Sequence, residues 1–278
     1  MPLTALFQTA VALLFLVGCS ASWADIDFSS AHALVVDEAS GEVLLEKNAA
    51  TAAPIASMTK LMTAMVVLDA RLPMNRTIRI TKNDLDTLKH TRSGVPVGSS
   101  FSRRTLLELA LMSSDNRAAA ALARTYPGGT AGFNAAMARK IKALKLADTV
   151  LVEPTGLSPN NHATAQDMVK ILMASTRYRT IVRATSQPSR EIKVNGRSYV
   201  FRNTNRLVGR PGWDISLSKT GFTREAGVCL TMRLEAAGRK LLVVLMGAVA
   251  SSERMVDVQN IRHWAGSSAA RASAAAAL

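Results

Sequence analysis

The chain reads as an α+β protein: one antiparallel sheet draws strands from both chain ends, and a helical cluster stands between them. Three observations predict this. Residues 33–46 and 191–246 carry short apolar runs broken by hairpin turns, which read as strands. Residues 57–175 carry apolar periodicities of the helical kind. Strand groups at both ends with helices between are the pattern of segregated α+β folds. The chain has 278 residues, 48% of them apolar, which is enough for one large core.

The elements follow in order. Residues 33–37 and 43–46 are strands flanking Ala39-Ser40-Gly41-Glu42, a hairpin-like turn. Ser57 opens a helix that runs to Asp69. Its apolar residues Met58, Leu61, Met62, Met65, Val66 and Leu68 cover nearly every face, so the helix should be buried. Helical patterns follow at 104–112, 116–124, 132–144 and 165–175, the last opened by a box-like Thr164-x-x-Asp167 cap. Asn195-Gly196 between residues 191–194 and 197–200 signals a type I′ hairpin. Strands at 216–220, 227–234 and 240–246 follow, the last two joined around Ala237-Gly238. A helix over 253–264 closes the fold.

Residues 1–24 read as a secretory leader, with no charged side chain and an apolar run at 11–17 that is too short to span a membrane. Ser22-Trp23-Ala24 offers a cleavage site, and Leu16-Val17-Gly18-Cys19 offers a lipobox that would place a lipid on Cys19; a soluble mature protein is the preferred outcome. Residues 25–266 form the catalytic domain. Residues 267–278 are a low-complexity Ala/Ser tail with no amphipathic anchor.

A net charge of +14 favours anionic partners. Nucleic acid is not supported beyond the charge, because aromatics make up only 5% and no DNA-binding motif appears. An anionic envelope polymer fits as well. Cys19 and Cys229 do not make a disulfide framework, and His32, His90, His162 and His263 lack metal-ligand spacing, so no metal or cofactor is expected.

Three motifs carry the chemistry. Ser57-Met58-Thr59-Lys60 is weak alone, since roughly one Ser-x-x-Lys arises by chance in such a chain. Ser216-Leu217-Ser218-Lys219 is a second copy. Local structure separates the two: residues i and i+3 share a helix face but point to opposite sides of a strand. Only Lys60 can therefore reach its serine. A serine hydroxyl needs a base, and a lysine in an apolar helix is desolvated enough to act as one. Ser114-Asp115-Asn116 follows a Leu-rich helix; Ser114 can pass a proton to a leaving amine, and Asn116 can bond Lys60 and a substrate amide. Ser158-Pro159-Asn160 repeats that pattern in an obvious loop. Lys219-Thr220-Gly221, at a strand end, offers a cation and a hydroxyl to a carboxylate. Gly221 is expected to clear room for a substrate backbone. The N–H groups of Ser57 and Phe222 then form an oxyanion pair.

In this order the set resembles that of class A β-lactamases and penicillin-binding proteins. Over residues 30–264 the chain resembles the low-molecular-mass serine D,D-peptidases, most strongly in Pro54-Ile55-Ala56-Ser57-Met58-Thr59-Lys60 and Lys219-Thr220-Gly221-Phe222-Thr223. Glu153-Pro154-Thr155-Gly156-Leu157 is similar to a turn of that family. Asp84-Leu85-Asp86-Thr87-Leu88-Lys89-His90 and Ser113-Ser114-Asp115-Asn116-Arg117 point to its D-alanyl-D-alanine endopeptidase branch. The resemblance implies Ser57 as nucleophile, Lys60 as base, Ser114 and Asn116 as the second element, and Lys219, Thr220 and Gly221 as the third. Arg254 would help bind the substrate carboxylate, against the alternative of a solvated helix-start arginine. The implied substrate is the peptide cross-link of peptidoglycan, the implied inhibitors are β-lactams, and the implied location is the periplasm. Three other readings stay open: a D,D-carboxypeptidase, a β-lactamase with Glu153 as deacylation base, and a sensor that binds without turnover.

Overall fold

The computed structural model describes residues 26–267. The proposed leader, the lipobox with Cys19 and all but the first residue of the low-complexity tail lie outside the described residues. The strands and helices in chain order are β1 (His32–Asp37), β2 (Val43–Lys47), β3 (Ala53–Pro54), α1 (Thr59–Asp69), β4 (Thr77–Arg79), β5 (Ser100–Ser102), α2 (Arg103–Met112), α3 (Asn116–Arg124), α4 (Gly129–Ala143), β6 (His162–Ala163), α5 (Ala165–Thr176), α6 (Arg179–Ser186), β7 (Ser189–Val194), β8 (Arg197–Arg202), β9 (Asp214–Thr223), β10 (Gly227–Ala236), β11 (Arg239–Ala248) and α7 (Ser251–Gly266).

The main sheet has five antiparallel strands in the order β2-β1-β11-β10-β9. The first and last thirds of the chain therefore share one sheet, as the α+β reading expects. Val35 pairs with Val243 where the two halves meet. Alternate residues serve two cores, because successive side chains in a strand point to opposite faces. Leu242, Val244 and Met246 pack towards α1 and its neighbours. Leu241, Val243 and Leu245 pack with Val258, Ile261 and Trp264 of α7. Both faces are covered, which explains why β11 reads as a nearly continuous apolar run.

Helix α1 lies at the centre, with every residue from Thr59 to Val67 buried. Its preceding 3-10 turn, Ala56–Met58, holds Ser57, so the serine stands two residues before the first residue of the α-helix, and Met58 takes the cap position. Among the differences from the sequence reading, two follow α5. The β7–β8 hairpin forms its own ribbon apart from the main sheet, with the expected left-handed turn at Asn195 (φ 50°) and Gly196 (φ 81°). The sequence pattern does not show helix α6, because its β-branched residues disguise it, and burial of Ile181, Ala184 and Thr185 stabilises it instead.

Candidate active site

The three motifs meet where the 3-10 turn, the α2–α3 corner and β9 converge. Lys60 Nζ donates to Ser57 Oγ at 2.8 Å, to Asn116 Oδ1 at 2.7 Å and to the Thr155 carbonyl at 2.6 Å. Lys219 Nζ donates to Ser114 Oγ at 2.9 Å and to the Thr220 carbonyl at 2.8 Å. Thr220 Oγ1 shares a 2.6 Å bond with Thr204 Oγ1. Among the described residues neither lysine has an acidic partner within ion-pair distance.

Burial sets the electrostatics. It strips Lys60 of water and lowers its pKa to about 7, although the negative charges of Glu153, Asp115 and Asp86 pull the other way. Burial also holds Lys219 well below its ordinary value, and the nearby Lys60 lowers it further. A lysine near neutrality at pH 7, in contact with a serine hydroxyl, can take the hydroxyl proton. The duplicate Ser216 and Lys219 do not pair in this way. Ser216 Oγ accepts from Arg233 Nη1 at 3.0 Å while Lys219 turns to Ser114. Strand alternation accounts for the separation.

The serine is held by close backbone packing on two sides. Gly221 on β9 stands so near the turn that a Cβ would lie 2.9 Å from the Ile55 carbonyl and 3.2 Å from Ser57 N. Gly221 therefore makes room for the nucleophile's turn. Gly156 (φ +83°) presses from the other side, where a Cβ would meet the Ala56 carbonyl at 1.8 Å. Ser114 occupies the left-handed region at φ 60°, which is unusual for a residue with a Cβ. Asp115 caps α3 by accepting from Ala118 N at 2.9 Å and also accepts from Ser93 Oγ and Gly94 N. These bonds overdetermine the corner and hold Ser114 in that conformation.

A chain of bonds continues behind Asn116. Its Nδ2 donates to Thr91 Oγ1 at 2.8 Å, and Thr91 donates to Asp86 Oδ2 through both N and Oγ1. Burial raises the Asp86 pKa, but N–H donors from Thr91, Lys89 and Leu88 outweigh it and hold the carboxyl below its ordinary range. The sequence carries no sign of a role for Thr91 or Thr204, and it marks Thr155 only as part of the family-like turn at residues 153–157. Thr155 meets Lys60 through its backbone carbonyl, and no local signal marks that role.

An open cleft of about 300 Å³ collects Ser57, Ser114, Thr204, Thr220, Gly221, Phe222, Val228, Ser251 and Arg254. Arg254 is only 8% exposed, so the solvated-arginine alternative is excluded. Its Nη1 reaches the Cys229 carbonyl at 3.5 Å, and its Nε has no hydrogen-bond partner among the described residues. A buried cation with an unpaired donor beside the serine suits an anionic ligand. Cys229 itself is buried and free, and burial raises its thiol to about 11.

The D-alanyl-D-alanine carboxypeptidase family profile matches residues 19–250. The chain belongs to this family of peptidases. It is 43% identical over 240 residues to a D-alanyl-D-alanine endopeptidase of Pseudomonas aeruginosa, covering 86% of this chain and 77% of the relative. An Escherichia coli D-alanyl-D-alanine endopeptidase is 42% identical over the same shares. The fold matches a Streptomyces DD-transpeptidase with TM-score 0.79 at 23% identity, covering 85% of this chain and 97% of that one. A D-alanyl-D-alanine carboxypeptidase of Mycobacterium tuberculosis matches with TM-score 0.72 at 27% identity, covering 82% and 86%.

Within this family setting, Glu153 is engaged in loop structure. Its Oε2 accepts from Thr155 N at 2.7 Å and from Thr155 Oγ1 at 2.5 Å; its Oε1 accepts from Gly156 N at 2.6 Å and from Asn161 Nδ2 at 3.1 Å. Those bonds seat the Thr155 carbonyl on Lys60 and Gly156 on the nucleophile's turn. A carboxylate so committed is not poised to activate water, which counts against a β-lactamase.

Proposed function

We propose that the chain is a serine D,D-endopeptidase that hydrolyses D-alanyl cross-links of peptidoglycan through an acyl-enzyme. The observation that carries the chemistry is the contact of Lys60, near neutral at pH 7, with Ser57 Oγ at 2.8 Å. The two relatives above 40% identity support the endopeptidase reading over the wider family.

Lys60 takes the Ser57 proton as Oγ attacks the D-alanyl carbonyl carbon. The backbone N–H groups of Ser57 and Phe222 hold the oxyanion. Asn116 orients Lys60 and the substrate amide. Lys219, Thr220 and Arg254 hold the carboxylate on the amine side of the bond, and Gly221 keeps β9 against the serine. The proton reaches the leaving amine through Ser114, whose hydroxyl bonds Lys219. The C–N bond breaks, the amine departs, and water later releases the acyl group from Ser57. β-Lactams acylate the same oxygen.

Residues 1–24 direct export to the periplasm, and the charge of +14 draws the enzyme to anionic envelope polymers, so raised salt weakens sacculus binding. A second reading, D,D-carboxypeptidase, has support from the family profile and from a Bacillus subtilis carboxypeptidase at 28% identity. Purified cross-linked muropeptide dimers, digested by wild type and by Ser57→Ala and read by mass, test the proposal. Conversion of dimers to monomers by wild type alone supports it. Release of one D-alanine from pentapeptides with dimers intact favours the second reading.

A further inference from the structure

We propose that an arginine-lined groove running from the catalytic cleft binds the amine-side peptide of the cross-link, a carboxylate-bearing peptide, and so favours cross-links over terminal D-alanine. The inference rests on the endopeptidase reading above. Its origin is a second groove, of about 620 Å³, lined by Pro188, Asn203, Thr204, Asn205 and Val208 together with Arg202, Arg206 and Arg210. Thr204 lines both this groove and the catalytic cleft, so the two adjoin at that residue.

The direction of the substrate places the peptide there. Ser57 and Phe222 mark the bond to be broken. Thr220 lies two residues back along β9, roughly 7 Å away at strand spacing, and with Arg254 marks the carboxylate of the amine-side residue. Thr220 touches Thr204, and Thr204 opens the groove. A free D-alanine ends at Thr220 and Arg254. A cross-linked peptide continues, and its next groups meet the arginines.

The groove is rigid where it must be and charged where it is exposed. Asn203 and Asn205 are buried and fasten the loop. Asn203 Nδ2 donates to the Thr185 and Gln187 carbonyls, Asn205 Nδ2 donates to Ser218 Oγ at 2.8 Å, and Thr204 N donates to the Met112 carbonyl. Arg202, Arg206 and Arg210 are exposed, and among the described residues no Asp or Glu lines the groove. None of the three arginines has an ion-pair partner among the described residues. Three unpaired cations on a pinned backbone form a preorganised receptor for carboxylates.

The test compares two activities of the full chain: cleavage of muropeptide dimers and release of D-alanine from pentapeptide. The variants are a groove triple (Arg202→Gln, Arg206→Gln, Arg210→Gln) and a remote charge-matched triple (Arg139→Gln, Lys142→Gln, Lys240→Gln). The ratio of the two kcat/KM values should fall about tenfold in the groove triple, from three exposed charge contacts. It should hold in the remote triple. Labelling by a fluorescent β-lactam reports that the protein is folded. If the groove triple does not label, the single variants replace it, each lowering the ratio about twofold. An unchanged ratio in the groove triple, or a parallel loss of both activities together with sacculus binding, overturns the proposal and leaves a general polyanion surface. Wild type that releases D-alanine but leaves dimers intact overturns the endopeptidase reading itself.

Discussion

The pH dependence of serine acylation follows from one buried lysine. Desolvation brings Lys60 from 10.5 to about 7. About one tenth of the molecules carry the neutral amine at pH 6, half at pH 7 and nine tenths at pH 8. An unshifted lysine would be neutral in roughly one molecule in 3,000 at pH 7, so burial raises the competent fraction on the order of a thousandfold. The rate constant for acylation by a β-lactam, measured by stopped flow under single-turnover conditions, should therefore rise about tenfold from pH 6 to pH 8 and then level. Glu153→Gln removes a negative charge that favours the ammonium, so its inflection should move to lower pH. A log rate that keeps climbing with unit slope through pH 9 would refute the reasoning, because Lys60 would then titrate as a solvated amine. So would an inflection that moves upward in Glu153→Gln.

Three further outcomes are expected. Between pH 7 and pH 10.5 the unfolded chain keeps the proton that folded Lys60 has lost, so stability rises with pH across that window; relative to Lys60→Met, wild type should gain about 1.4 kcal/mol per unit in urea titrations, and a flat difference would argue against a depressed folded-state pKa. Gly156→Ala places a Cβ 1.8 Å from the Ala56 carbonyl at φ +83°; thermal melts should show a loss of several kcal/mol or no folded protein, and a melt like wild type would mean the loop does not press on the nucleophile's turn. Arg254→Gln should raise KM for dimers about tenfold or more with a smaller effect on kcat, since it removes a charged hydrogen bond to a carboxylate; an unaltered KM would leave Arg254 as a packing residue.

How much was legible in the sequence follows from the reach of each signal. Ser57 and Lys60 are three residues apart, and helical geometry alone brings them together; the sequence therefore determined that pair, and strand alternation ruled out Ser216 with Lys219. It also determined the sharing of one sheet by both chain ends, because β1 and β11 carry matched apolar runs. The meeting of Lys219 with Ser114 spans 105 residues, and only the packing of β9 against the α2–α3 corner brings them together. The apolar faces of α1 already pointed to a desolvated Lys60, but the extent of that desolvation depends on the whole surrounding shell, which only the packed structure supplies. Gly221 shows the same limit. Its place in Lys219-Thr220-Gly221 marked it as functional, but its close approach to the backbone of Ile55 and Ser57, more than 160 positions away in the chain, is set by the packing. The Thr155 carbonyl and the adjacency of the arginine groove to the cleft at Thr204 left no mark on the sequence. Backbone groups and surface loops acquire such roles only when distant segments are packed side by side.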